Sequence, residues 1–164
     1  YERVEVVFIS HSTVAERVSE DDFFKVGTYG GTIISSALNA ELEIIDKEYH
    51  PNAWNIYTFY CGDGENWSSD NEKSIDLFKK IKEVSQLTAY CEINEHYGNF
   101  ADEDSNEVLP SGYPWPSFTA WKNEEMDNLW SKLAPICDNK FKKVMVGQTD
   151  HIWQAFKELF GSDK

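Results

Sequence analysis

Apolar residues along this chain fall into two recurring patterns. Short runs rich in apolar and β-branched residues read as strands: Val4 to Ile9, Trp54 to Cys61, Leu87 to Ile93 and Phe141 to Val146. Between them lie stretches whose apolar positions recur three and four apart. Ile34, Ala37, Leu38, Leu42, Ile45 and Tyr49 mark a helix from Ile33 to Tyr49, limited by Pro51. Ile75, Phe78, Ile81 and Val84 mark a second from Asp70 to Val84, with Asp70 or Ser69 as its N-cap. Glu124 to Ala134 and Ile152 to Phe160 read as two more, the last stopped by Gly161. Thr13 to Ser19 suits a short edge strand beside the first. Glu20 to Gly31 and the acidic, aromatic stretch Asn94 to Ser117 follow neither period.

Strands separated by helices imply right-handed βαβ units. The expected fold is therefore three-layer α/β: a mostly parallel sheet with helices on both faces, in a single domain spanning 1–164. Phe8, Ile56, Tyr90 and Val144 are expected on neighbouring strands in one core. Ligands of such sheets bind beyond the carboxyl ends of the strands. That rule directs attention to the loops after Ile9, Cys61, Ile93 and Val146, and to Ser10, His11, Gly30, Gly31 and Glu65 as edge-loop candidates.

Charge narrows the partners. With 15 basic and 29 acidic residues the net charge is -14, and no basic cluster exceeds Lys140, Lys142 and Lys143. Such a chain repels a phosphate backbone, which excludes nucleic acid. No apolar run approaches the length of a membrane span and no secretory signal opens the chain. Cys61, Cys91 and Cys137 are odd in number and far apart. They read as free thiols, the two in strands buried, which suits a reducing cytoplasm. Asn66-Trp67-Ser68 matches a glycosylation sequon by chance on this reading. The chain begins at Tyr1 almost inside a strand, so a preceding segment is expected.

Familiar ligand motifs fail on chemistry. "GTYGGT" has Gly31 where a Walker loop needs its lysine, so Gly30 and Gly31 read as a tight turn into a helix capped by Thr32. "DEDSNE", residues 102–107, lacks the glycine and terminal glutamate of an EF-hand. His11, His50, His96 and His151 show no metal-ligand spacing, and no nucleophile elbow is present. What remains is Thr32, opening a helix, and Asp63, ending a strand, both at the carboxyl edge of one sheet. A hydroxyl and a carboxylate are hard oxygen donors that suit magnesium, calcium or manganese, while capping and turn formation explain the same two residues.

Four stretches carry a resemblance: "VEVVFISHSTVAERVSEDDFF", "GGTIISSALNAELEII", "YHPNAWNIYTFYCGDGENWSSDNE" and "YCEI", with "FKKVMVGQTDHIWQAFKELFG" matching more loosely. They resemble the carboxyl-terminal part of the YeaH/YhbH family, a bacterial and archaeal group associated with stress and sporulation. The resemblance implies a von Willebrand factor A-like domain. It also implies a metal-ion-dependent adhesion site in which Thr32 and Asp63 match two ligand positions. The D-x-S-x-S motif that supplies the other ligands is absent from the chain. It is expected on a strand before Tyr1, so the site here is incomplete. No tightly bound Mg2+ or other divalent cation is expected in this chain alone, though one is in the intact protein.

The resemblance further implies a cytoplasmic regulatory module that binds a protein partner, a PrkA-type serine kinase or a SpoVR-like protein. A partner carboxylate would complete the cation's shell. The competing reading is a divalent-metal-dependent hydrolase built on Asp63, Glu65 and His11. A third is a metal-free fold whose aromatic loop, with Tyr113, Trp115 and Phe118, forms the partner surface.

Overall fold

A computed structural model describes residues 3–25, 31–93 and 128–161. Five strands and five α-helices occur among them: β1 (Phe8–His11), β2 (Ala15–Val18), α1 (Glu20–Lys25), α2 (Ile34–Glu48), β3 (Tyr57–Gly62), α3 (Asn71–Val84), β4 (Leu87–Ile93), α4 (Leu129–Leu133), β5 (Phe141–Val146) and α5 (His151–Phe160). The fold is mixed α/β. β3, β4 and β5 form a parallel sheet in that order, while β1 and β2 form a separate antiparallel hairpin. No strand of the hairpin is hydrogen bonded to the sheet.

Alternation along the strands defines two faces. On the first face, Tyr60, Tyr90 and Phe141 meet α3 through Phe78, with Ile81, Leu129 and Leu133 completing the core. Tyr60 and Tyr90 occupy matching register positions and stack at 5.4 Å. α2 lies beside α3 on this face and contributes Ile34 and Leu38 to the same core. On the second face, α5 packs against β5, and Val144 and Ala155 are buried there. The hairpin has its own cluster, in which Phe8 contacts Phe23 and Phe24 of α1 at 5.1 and 5.8 Å.

The expected single core containing Phe8, Ile56, Tyr90 and Val144 is therefore corrected. Tyr90 and Val144 face opposite sides of the sheet, Ile56 precedes β3 half-buried, and Phe8 belongs to the hairpin. The first strand run is likewise shorter than its apolar content suggests, because Val4 and Val6 are exposed and pairing starts at Phe8. α1 is an addition. Its six residues are too few to display a helical period, and Ser19 caps it by accepting from the Asp22 amide.

Candidate functional site

The carboxyl ends of β1 and β3 come together around the amino end of α2. Ser12, in the turn after β1, accepts from the Ile33 amide at 2.9 Å, and Thr32 accepts from the Trp67 amide at 3.2 Å. α2 has no side-chain cap of its own, since its N-cap position is Ile33. The expectation that Thr32 caps it is corrected: the caps come from the loop after β3. Asn66 Oδ1 accepts from the Ile34 amide at 3.0 Å, and Asp70 Oδ2 accepts from the Ser35 amide at 3.0 Å. These oxygens satisfy amides that a helix start leaves without partners.

Asp70 is not a side-chain cap of α3 either, because its carboxylate is committed to α2 and to the Ser74 hydroxyl at 2.8 Å. Burial alone would raise its pKa, but hydrogen bonds from Ser35, Ser74 and Asn66 outweigh it and hold the group below its usual value. The stabilisation is thus present above the unfolded value of 3.8 and is lost as pH falls through the lower folded value. Asp70→Ala is expected to lower stability by about 2 kcal/mol in urea unfolding at pH 7, since it strands a buried amide and a hydroxyl. As pH falls below 3.8 the difference from wild type should shrink, because the unfolded carboxyl takes up its proton before the native one does.

A cleft of about 350 Å³ opens beside this clamp, lined by Gly31, Thr32, Gly64, Glu65, Asn66, Trp67 and neighbouring residues of α3 and α4. A side chain at Gly31 would meet the Trp67 indole at 2.8 Å, so the indole would have to shift. Gly64 turns the chain with φ 86°, and Asp63 closes the turn by accepting from the Glu65 amide at 3.0 Å. Thr32 and the Gly64–Glu65 part of that turn thus border the same cleft, with Asp63 next to it in the chain. One Asp63 oxygen is held by the turn, leaving the other as a donor. Thr32 and Asp63 suit a hard cation chemically, but two donors fill only part of its shell. Among the described residues, no three His, Cys, Asp or Glu side chains converge on a metal position.

His11 sits at the end of β1, its ring 5.4 Å from Tyr60 and its Nδ1 buried without a hydrogen-bond partner. Burial lowers its pKa, opposed by Ser12 and by the Asp63 carboxylate. Ser10 pairs with Glu16 in the hairpin, one residue before His11. Gly30, Tyr113, Trp115, Phe118, His96 and the acidic 102–107 stretch lie outside the described residues.

Sequence reasoning missed Glu92. It is the penultimate residue of β4, and its carboxyl lies against Gly64, where a side chain would displace it. Burial, opposed by Tyr90 and Lys143 and reinforced by Asp63, raises its pKa to about 7. The expectation of buried strand thiols is also corrected: Cys61 is exposed and Cys91 half-buried. They hold matching positions on β3 and β4, and a hydrogen bond with the Cys91 thiol pushes the Cys61 pKa down.

The parallel sheet with helices on both faces, and a loop cleft at its carboxyl edge, define an α/β domain compatible with a Rossmann-like architecture. Residues 1–163 match the family described as "Protein of unknown function (DUF444)", and the chain belongs to that family. It is 35% identical over 163 residues to a UPF0229 protein of Clostridium perfringens, covering 99% of this chain and 35% of the relative. A UPF0229 protein of Bacillus velezensis is 35% identical over 164 residues, covering 100% of this chain and 35% of that relative. One from Ruminiclostridium cellulolyticum reaches 48% over 109 residues, 66% of this chain and 27% of the relative. The chain thus spans about a third of the length of these curated relatives. No solved structure matches it. Among the described residues no helix is long and apolar enough to cross a membrane.

Proposed function

We propose that this chain is part of a von Willebrand factor A-like protein-interaction module, of the YeaH/YhbH type, acting in the cytoplasm. Its cleft edge, with Thr32 and Asp63, contributes to a divalent-cation docking site for a carboxylate on a protein partner. A PrkA-type serine kinase or a SpoVR-like protein of a stress or sporulation system is the partner class the family resemblance suggests.

The observation that carries the reading is a pair of strands that converge without pairing. β1 and β3 end at the same side, around the start of α2, yet share no hydrogen bonds. α2 bridges them, contacting the hairpin and reaching Thr58 of β3 through Glu41. A strand inserted there would end beside Thr32, His11 and Asp63. Those are the surroundings that an upstream D-x-S-x-S motif would need to complete an oxygen shell.

Magnesium calorimetry tests it. This chain should give no tight, stoichiometric heat, because water must supply most of the shell. A full-length family polypeptide containing the sequence should bind, and Asp63→Ala should weaken that binding by about tenfold or more. Tight binding to this chain that ignores Asp63→Ala would sink the assignment. The alternative, a metal-dependent hydrolase using the Asp63 edge, is favoured instead if a screen of ester and phosphoester substrates shows turnover that requires magnesium or manganese and Asp63.

A further inference from the structure

Cys61 and Cys91 occupy matching positions on β3 and β4, which pair in parallel. The residues before them, Tyr60 and Tyr90, stack at 5.4 Å on the first face. Side chains alternate along a strand, so both thiols project from the second face, one beside the other. Each thiol is a hydrogen-bond partner of the other. Neighbouring strands lie about 4.8 Å apart, and a disulfide spans Cα atoms roughly 4.4–6.8 Å apart, so this pair can be bridged without parting the strands. A wholly buried strand cysteine is inert packing, but Cys61 is exposed, with Cys91 half-buried next to it. Cys137 lies apart from them, between α4 and β5, where its thiol donates to the Leu133 carbonyl at 3.4 Å.

The surroundings give a bond here a consequence. Cys61 stands two residues before Asp63, whose turn carries Gly64 to the cleft edge with φ 86°. Cys91 is followed directly by Glu92, whose carboxyl lies against Gly64. The two thiols therefore sit at the roots of the two segments that meet at Gly64.

We propose that Cys61 and Cys91 form a reversible cross-strand disulfide site, oxidised by hydroperoxides, that changes how the 63–65 turn meets Glu92. One peroxide suffices. The Cys61 sulfur attacks a peroxide oxygen, the O–O bond breaks, and the leaving hydroxide departs as water with the thiol proton. Cys61 is then a sulfenic acid. The Cys91 sulfur attacks the Cys61 sulfur, the S–S bond forms, the S–O bond breaks, and a second water leaves with the Cys91 proton. Two thiols lose two electrons and two protons, and hydrogen peroxide becomes two waters. A dithiol reverses the bond by exchange. Transient disulfides of this kind are the form in which redox-sensing thiols serve a reducing compartment. Bridged Cβ atoms lie about 3.8 Å apart, closer than the strand spacing, so the bond draws the carboxyl ends of β3 and β4 together and shifts Gly64 against the Glu92 carboxyl. No cation takes part, so the site stands or falls independently of the docking site proposed above.

Hydrogen peroxide added to a full-length family polypeptide containing this sequence, followed by alkylation and non-reducing peptide mapping, tests it. The Cys61–Cys91 linked peptide should exceed any linkage to Cys137 by about tenfold or more, because register holds the two thiols together. Dithiothreitol should abolish it. Cys91→Ser should halt at the sulfenic acid, so that dimedone labels Cys61, whereas wild type escapes the label. Hydrogen exchange of the 63–66 amides should differ by about threefold or more between oxidised and reduced wild type, and should ignore peroxide in Cys91→Ser. Linkage of Cys61 to Cys137 in preference to Cys91 overturns the proposal, as does a wild-type Cys61 that peroxide leaves as a free thiol or a dimedone-labelled sulfenic acid. A Cys61–Cys91 bond that leaves exchange at 63–66 unchanged overturns it equally.

Discussion

Replacing Phe78 by alanine is expected to destabilise the domain by about 3–5 kcal/mol, the largest single effect in this fold. Phe78 is completely buried at the centre of the first face. Its ring meets Tyr60 and Tyr90 at 6.0 Å and Phe141 at 5.4 Å, each edge-on. Truncation removes the burial of an aromatic ring and leaves a cavity bounded by three other rings held on a hydrogen-bonded sheet. Those neighbours cannot collapse inward without breaking register, so the cavity term persists. Urea unfolding followed by tryptophan fluorescence measures the loss. Phe78→Leu should cost about 1–1.5 kcal/mol, because it retains most of the volume. Equal losses for both variants would mean that ring packing is not what stabilises this layer.

Glu41→Gln is expected to stabilise the protein by about 3 kcal/mol at pH 8 while changing little at pH 4.5. Glu41 projects from α2 toward β3, where the Thr58 hydroxyl donates to its carboxylate. Burial raises its pKa to about 7, with the Thr58 hydrogen bond opposing only in part. A carboxyl whose folded value exceeds its unfolded value of 4.5 contributes stability below 4.5 that is lost as pH rises through 7. Glutamine keeps the shape and carries no charge, so the variant lacks that loss. Chemical unfolding of both proteins between pH 4.5 and 8 gives the comparison. Two parallel stability curves would show that Glu41 ionises in the fold as freely as in the unfolded chain. Subtracting the curves cancels the contributions of His11, Asp70 and Glu92, which both proteins share.

These two effects illustrate how a layered fold divides its polar and apolar demands. Phe78 sits at a helical position that the periodicity of α3 marks for burial. Glu41 is a charged residue on the same apolar layer, positioned by α2 rather than by its local sequence. The clamp around Asp70 is a third case, in which residues 35 positions apart complete one helix start.

Local sequence was sufficient for what depends on neighbours along the chain. β4 and β5 match their apolar runs residue for residue, and α2 and α3 begin and end within one residue of the expected limits. Helical and strand periods report side-chain direction over a few residues, so they survive without tertiary information. The α/β class followed from their order, and Thr32 and the turn at Asp63 were legible as edge features for the same reason. Tertiary structure alone decided the rest. The aromatic-rich run ending in Cys61 does not reveal that Tyr57, Phe59 and Cys61 face outward, because burial on each side depends on which helix lies above it. Glu92 was not legible, since its proximity to Gly64 and Asp63 arises from parallel register between strands 30 residues apart. The caps of α2 from Asn66 and Asp70 left no mark in the α2 sequence, because a hydrogen bond acts through space and its donor carries no record of a distant acceptor. The separation of the hairpin from the sheet is likewise a property of strand pairing, which no single strand's composition specifies.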